Sequence, residues 1–180
     1  MHFFKHLNTV TRHRRIVKKL CFRCGLIKQG IFHDLSKFSP SEFFAGAEYY
    51  QGNRSPQAKE RELFGYSAAW LHHKGRNKHH YEYWFDTEPV EMPPCYLAEM
   101  VCDRIAAGKV YAGKNYTDAN PLIYLESRTD KSRMHPKTYE KLKYFLELLK
   151  EKGEKYTLIE MKKYVKESKH KKSRAKAHFS

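Results

Sequence analysis

The sequence predicts an all-α fold, a single helical bundle followed by a basic C-terminal tail. Three observations carry this. Apolar residues recur at three- and four-residue intervals through most of the chain. Strand-type alternation is weak throughout. Helix punctuation (Gly25, Ser39-Pro40, Gly65, Pro94, His135-Pro136) falls where the periodic stretches begin or end. At 180 residues the chain is sized for one domain with its own core. That domain is assigned to 1–167, and the Lys-rich residues 168–180 form a tail expected to lack structure.

In chain order, Phe3, Leu7, Val10, Val17, Leu20, Cys21 and Cys24 mark a helix over residues 3–24, stopped by Gly25. His6 and His13 lie two turns apart on one face of it. Leu26 to Asp34 reads as a short helix entering the core. Ser39-Pro40-Ser41-Glu42 then carries the signs of a capping box, with Pro40 at the first helical position, and that role suffices for Glu42. The helix it opens ends near Gly52, and Gly52 to Pro56 is a loop with Arg54 as a candidate basic lip. Residues 57–64 are helical up to Gly65. Residues 86–94 form a proline-rich loop, and Pro94 starts a helix predicted to end at Gly108. Residues 108–134 are loop-rich apart from a short helix at 122–125. Residues 137–152 form an amphipathic helix, and Thr157 caps a last one reaching about Glu167.

The net charge is +15, from 35 Lys and Arg against 20 Asp and Glu. Residues 161–180 alone hold seven lysines and Arg174 against Glu167, nearly half the excess. Such a tail suits nucleic acid or simple solubility. Four cysteines without a second C-x-x-C argue for small buried hydrophobes rather than a disulfide scaffold or a thiolate zinc site. No apolar run reaches the roughly 20 residues that span a bilayer, and the N-terminus lacks the pattern of a signal peptide. A cytoplasmic protein without membrane contact is expected.

The chemistry concentrates in two stretches. Ile31-Phe32-His33-Asp34-Leu35-Ser36-Lys37-Phe38 sets an imidazole beside a carboxylate, with a lysine one turn on. If both sit on a helix, the two ligands diverge by about 100°. Residues 66–84 hold four of the eleven histidines, His72, His73, His79 and His80, flanked by the chain's two tryptophans, Trp70 and Trp84. Imidazole is the commonest metal-binding side chain near neutral pH; a solvated turn has no need for two His-His pairs, and a plain core has no use for Lys74, Arg76 and Lys78 beside them. Glu99 and Asp103 stand one turn apart on an otherwise apolar helix, where a carboxylate pairs with a cation or a metal ion. Arg104 and Lys109 could supply a plain ion pair.

Taken together, His6 or His13, His33-Asp34, the histidines at 72–80 and Asp103 follow an order that resembles the HD-domain superfamily of metal-dependent phosphohydrolases, with its H…HD…D pattern on a helical bundle. The resemblance implies that His33 and Asp34 are the dyad and Asp103 the distal aspartate. Lys37 in His-Asp-Leu-Ser-Lys matches the family's lysine. Histidines between dyad and final aspartate resemble the binuclear subgroup, such as the HD-GYP and cyclic-nucleotide phosphodiesterase types, although no Gly-Tyr-Pro motif follows the dyad. Residues 6–107 are also similar to a functionally unassigned family of small bacterial and phage proteins, through His33-Asp34-Leu35-Ser36-Lys37, Tyr49-Tyr50-Gln51-Gly52 and His72 to His80.

The resemblance implies one or two divalent transition metal ions (Mn, Fe, Ni, Co or Zn). The candidate ligands are His6, His13, His33, Asp34, His72, His73, His79, His80 and Asp103. Neutral His and carboxylate ligands suit those metals, and Asp34 is the candidate bridge. Lys37, Lys74, Arg76 and Lys78 are candidate phosphate donors. Asn77 is a candidate to orient substrate or water, and Tyr81, Trp84 and Trp70 are candidates to stack on a base. The expected reaction is hydrolysis of a nucleotide or other phosphoester by a metal-activated water. Alternatives are an HD-type di-iron oxygenase and a nucleic-acid-binding accessory protein acting through the tail.

Overall fold

The structure, a computed structural model, describes residues 1–177 in backbone and the side chains of residues 1–170. Among the described residues the fold is all-α, with no strand beyond a lone bridge between Phe85 and Pro89. Its helices are α1 (Phe3–Arg23), α2 (Ile27–Phe32), α3 (Pro40–Glu48), α4 (Pro56–Phe64), α5 (Ala68–Lys74), α6 (Pro94–Ala112), α7 (Asn120–Arg128) and α8 (Pro136–Ala177). Short 3-10 turns at Leu35–Phe38 and Tyr81–Trp84 join them around the histidine-rich segments.

Local chemistry explains most boundaries. Gly25 and Gly65 end α1 and α4 with φ of 73° and 77°, a conformation that costs other L-residues. Ser67 caps α5 by accepting from the Trp70 amide at 2.9 Å. The predicted stop at Gly108 does not occur, and α6 continues to Ala112. A Cβ at Gly108 would lie 2.8 Å from the Tyr116 ring, so this glycine serves a close approach rather than a helix end. The predicted capping box at α3 is also not formed, because Ser39 makes no side-chain cap. Thr157 is no cap either. It sits inside α8, buried, and its hydroxyl donates to the Gly153 carbonyl at 3.0 Å. Gly153, with φ 77°, kinks α8 where the sequence suggested a break between two helices. The tail expected to lack structure continues α8 through Ala177, in keeping with the good helix propensity of Lys, Arg and Ala. Residues 178–180 of that tail lie outside the described residues.

Helices α1, α6 and α8 form the core. Val17, Leu20 and Cys21 meet Val101, Cys102 and Ile105, and these meet Leu142, Phe145, Leu146 and Leu149, all essentially buried. Mid-α6 is enclosed nearly all round, with Leu97, Ala98, Met100, Val101, Cys102, Ile105 and Ala106 buried and the carboxylate of Glu99 buried among the histidines. Cys21, Cys24 and Cys102 are buried among these residues as thiols, and hydrogen bonding to Cys21 and Cys24 together with burial pushes the Cys102 thiol up. No described helix is long and apolar enough to cross a membrane. The polar heart of the molecule lies at the edge of this core. There α1 and α6 leave the bundle and face α2, the 35–38 turn, α3 and α5.

Candidate metal centre

Helix α2 ends one residue before the His-Asp pair. His33 takes an extended backbone (φ −50°, ψ 127°), and Asp34 is the one non-glycine described residue with positive φ, 54°. Aspartate tolerates this left-handed conformation better than most residues. The pair is therefore not helical, and the expected 100° divergence does not apply. Both side chains turn to one side, with His33 Nε2 3.3 Å from Asp34 Oδ2.

The two carboxylate oxygens of Asp34 face different clusters. Near Oδ2 stand His13 Nε2 at 3.6 Å and His33 Nε2 at 3.3 Å. Asp103 Oδ1 completes this group, 3.0 Å from His13 and 3.5 Å from His33. Near Oδ1 stand His73 Nε2 at 3.3 Å and His79 Nε2 at 3.4 Å. His80 Nε2 lies 2.9 Å from His73 Nε2. Each set, His13-His33-Asp34-Asp103 and Asp34-His73-His79-His80, places its ligand atoms close enough to hold a metal ion. The first comes from α1, the α2 exit and α6; the second comes from α5, the loop after it and the α2 exit.

Two carboxylates behind the imidazoles set their tautomers. Glu99 Oε1 accepts from Nδ1 of His33 at 2.9 Å and stands 3.3 Å from Nδ1 of His79. Glu42 accepts from Nδ1 of His73 at 2.7 Å and of His72 at 2.6 Å. A proton held at Nδ1 leaves a lone pair at Nε2, the usual second-partner arrangement of a metal-binding histidine. His33, Glu99 and His79 also fall close enough together to hold an ion, but Glu99 meets the Nδ1 side of both rings, so its geometry is that of an orienting group. The Nε2 lone pairs of His33, His73 and His79 then turn towards Asp34. Asp34 Oδ1 and His79 Nε2 are buried with no hydrogen-bond partner, which costs about 1–3 kcal/mol for each such group unless something satisfies it.

The electrostatics follow the packing. Burial opposes charge on Asp34, but His33, Lys37 and His73 outweigh it and hold the carboxyl well below its usual range. Asp103 is likewise held low against burial by His13 and His33. Burial disfavours protonation of His33, yet Asp34, Asp103 and Glu99 hold its pKa well above the ordinary value. His80 is pushed well below it by burial and by His79 and His73. Lys37 donates to Asp34 Oδ2 at 2.6 Å, and despite burial this pairing raises its pKa.

The remaining sequence candidates take other places. His6 is buried away from both clusters, against Phe43 and Tyr50 (ring centroids 5.2 and 6.1 Å). A Cβ at Gly46 would come within 2.3 Å of its Nε2. His72 meets Glu42 rather than Asp34. Asn77 is buried, and its amide donates to Ser36 Oγ and the His73 carbonyl, each at 2.8 Å, so it braces ligands rather than facing substrate. Arg76 reaches the His72 carbonyl at 3.3 Å. Lys78 lies over Tyr83 and Tyr96, and Lys74 acts on Glu82. Of the proposed phosphate donors, Lys37 is the one whose ammonium touches a cluster ligand. Trp70 stacks on His73 and meets His80 edge-on, while Trp84 packs on Tyr96 and Tyr81 packs against the core. Arg54 pairs with Gln51 and both oxygens of Glu62, so it forms no free basic lip. Sequence reasoning gave Glu42 a capping role alone and, although it noted Glu99 one turn before Asp103 on an apolar helix, did not foresee either as an orienting partner of the histidines.

A family model described as a family of unknown function, DUF5662, matches residues 2–148. The chain belongs to this family. Both clusters and their orienting carboxylates fall inside the matched segment, as does the first part of α8 before its kink. Among curated proteins and solved structures, none matches the chain.

Proposed function

We propose that this protein is a metal-dependent phosphohydrolase of the HD type, with two divalent ions bridged by Asp34. The observation that carries the reading is the division of one buried carboxylate between two imidazole-rich clusters, with Asp34 Oδ1 and His79 Nε2 left unpartnered. Protons alone are the competing explanation. One proton in each facing Nε2 pair would satisfy that pair, whereas the two orphaned atoms, 3.4 Å apart, make no hydrogen bond to each other. Metal ions held by the two clusters would account for the orphans and for the Nδ1 partners together. The donor set of imidazole and carboxylate suits Mn, Fe, Co, Ni or Zn.

His13, His33, Asp34 and Asp103 would hold one ion, and Asp34, His73, His79 and His80 the other. Divalent ions supply Lewis acidity that brings a bound water to a pKa near 7. The chain's own groups do the rest. Glu99 and Glu42 fix the ring orientations. Lys37, partly exposed beside Asp34, is placed to bind a phosphoryl oxygen as a charged donor. Asp103, also partly exposed, marks the side from which substrate approaches.

Metal analysis of purified protein, with His33→Ala and Asp34→Ala as controls, followed by a panel of phosphomonoesters and phosphodiesters, tests the reading. Metal-dependent release of phosphate or a nucleotide that both variants abolish is the expected result. Wild type binding no more transition metal than the variants would contradict it. Iron-loaded protein that consumes oxygen and hydrolyses no phosphoester would replace it with the oxygenase reading.

A further inference from the structure

Helix α1 carries His13 on its inner face, and its outer face has a different chemistry. Its 21 residues contain seven Lys and Arg and no Asp or Glu. Arg14 turns inward to the carbonyls of His33 and Ile31, at 2.8 and 3.1 Å. The others, Lys5, Arg12, Arg15, Lys18, Lys19 and Arg23, are exposed. Lys5, Asn8, Arg12, Arg15, Lys19 and Arg23 recur every three or four residues, which aligns them in one stripe opposite His6, Val10, His13 and Val17. The stripe runs the length of the helix, about 31 Å. Arg23 pairs with Glu154. Among the described residues no carboxylate lies within ion-pair distance of Lys5, Arg12, Arg15, Lys18 or Lys19. A solvated helix face normally mixes both signs, since i,i+4 pairs of opposite charge stabilise it and like pairs do not. This face has given that up over its whole length.

We infer that the outer face of α1 is a docking surface for single-stranded nucleic acid, which it binds through the phosphate backbone. Exposed cations in register along a straight element track a polyanion. Phe4, 81% exposed, sits at the end of the same face, where an aromatic ring can stack on a base. A membrane surface fits less well, because lipid binding needs an apolar face beside the cations. Between Phe4 and Phe22 the exposed positions of α1 are Lys5, Asn8, Arg12, Arg15, Lys18 and Lys19, all polar or charged. The surface does not depend on the metal centre, and it differs from the C-terminal tail as the location of nucleic-acid contact.

The test is fluorescence anisotropy with a labelled 20-nucleotide single strand on the full chain, titrated at several salt concentrations. The variant is Lys5→Gln, Arg12→Gln, Arg15→Gln and Lys19→Gln combined. Glutamine keeps helix propensity close to that of Lys and Arg, and circular dichroism checks the fold. Loss of four phosphate contacts should lower the slope of log affinity against log salt by about 3. A control variant, Lys162→Gln, Lys166→Gln and Lys169→Gln on α8, should keep most of the wild-type slope. Equal loss in the control would overturn the inference, and so would anionic vesicles or duplex DNA binding as tightly as the single strand. Because binding is read on the protein as purified and the substitutions leave both ligand clusters untouched, its outcome is separate from that of the phosphohydrolase reading.

Discussion

The two ligand clusters share Asp34 and differ in almost everything else. The one at Oδ1 is three histidines, with His73 and His79 buried and Trp70 packed against His73 and His80. The one at Oδ2 is mixed, with a second carboxylate in Asp103, and it borders Lys37, whose side chain is 24% exposed. An imidazole-rich, enclosed site suits an ion that stays. A site with more negative charge and an open edge suits an ion that meets substrate. The difference teaches that the centre is asymmetric, and the two halves should respond differently to substitution.

The largest effect should come from Asp34→Asn, which weakens both halves at once. Activity should fall to background and both metal equivalents should be lost, read by elemental analysis after dialysis. Next, His79→Ala and Asp103→Ala should each remove about one equivalent. If both variants lost both ions, the clusters would be a single cooperative unit rather than two sites.

Orienting carboxylates should have smaller effects. Glu99 reaches ligands of both clusters, whereas Glu42 reaches His73 and its neighbour His72. Glu99→Gln should weaken metal affinity about 10–100-fold at both sites, and Glu42→Gln by a similar factor at one. Competition against a chromophoric chelator measures both. Lys37→Met should leave metal content near wild type and lower kcat/KM by about 10²–10³-fold, as expected for a donor to the reacting phosphoryl group. Full loss of metal in that variant would make Lys37 structural instead.

The smallest effect concerns His6. Burial, reinforced by Lys37, lowers its pKa to about 4 from 6.5. The folded chain therefore binds this proton less readily than the unfolded chain. The stability contributed by the neutral ring is complete above about pH 6.5 and is lost as pH falls towards 4. In metal-free protein, His6→Gln should lose less stability than wild type across that window, by chemical denaturation at each pH. It should leave metal binding unchanged.

The helices were legible because burial imposes its period on the sequence, and glycine and proline mark the ends. The misses came where a residue type serves two purposes. Glu42 follows Ser39 at capping-box spacing, yet its carboxylate turns inward to His72 and His73. Gly108 reads as a stop, yet it makes room for Tyr116. His6 and His13 share one face of α1, and nothing along the helix separates them. What separates them is tertiary: α3 brings Gly46 and Phe43 against His6, while α6 brings Asp103 to His13. The His-Asp pair was legible as chemistry but not as geometry, because the left-handed turn at Asp34 that makes the side chains converge has no glycine or proline to announce it.

Metal stoichiometry tests the bridging role of Asp34 most directly. Protein stripped and then titrated with Mn(II) should take up two equivalents per chain in wild type and neither tightly in Asp34→Asn. A wild type that binds one equivalent or none, or an Asp34→Asn protein that keeps the full complement, would contradict a centre built on one shared carboxylate.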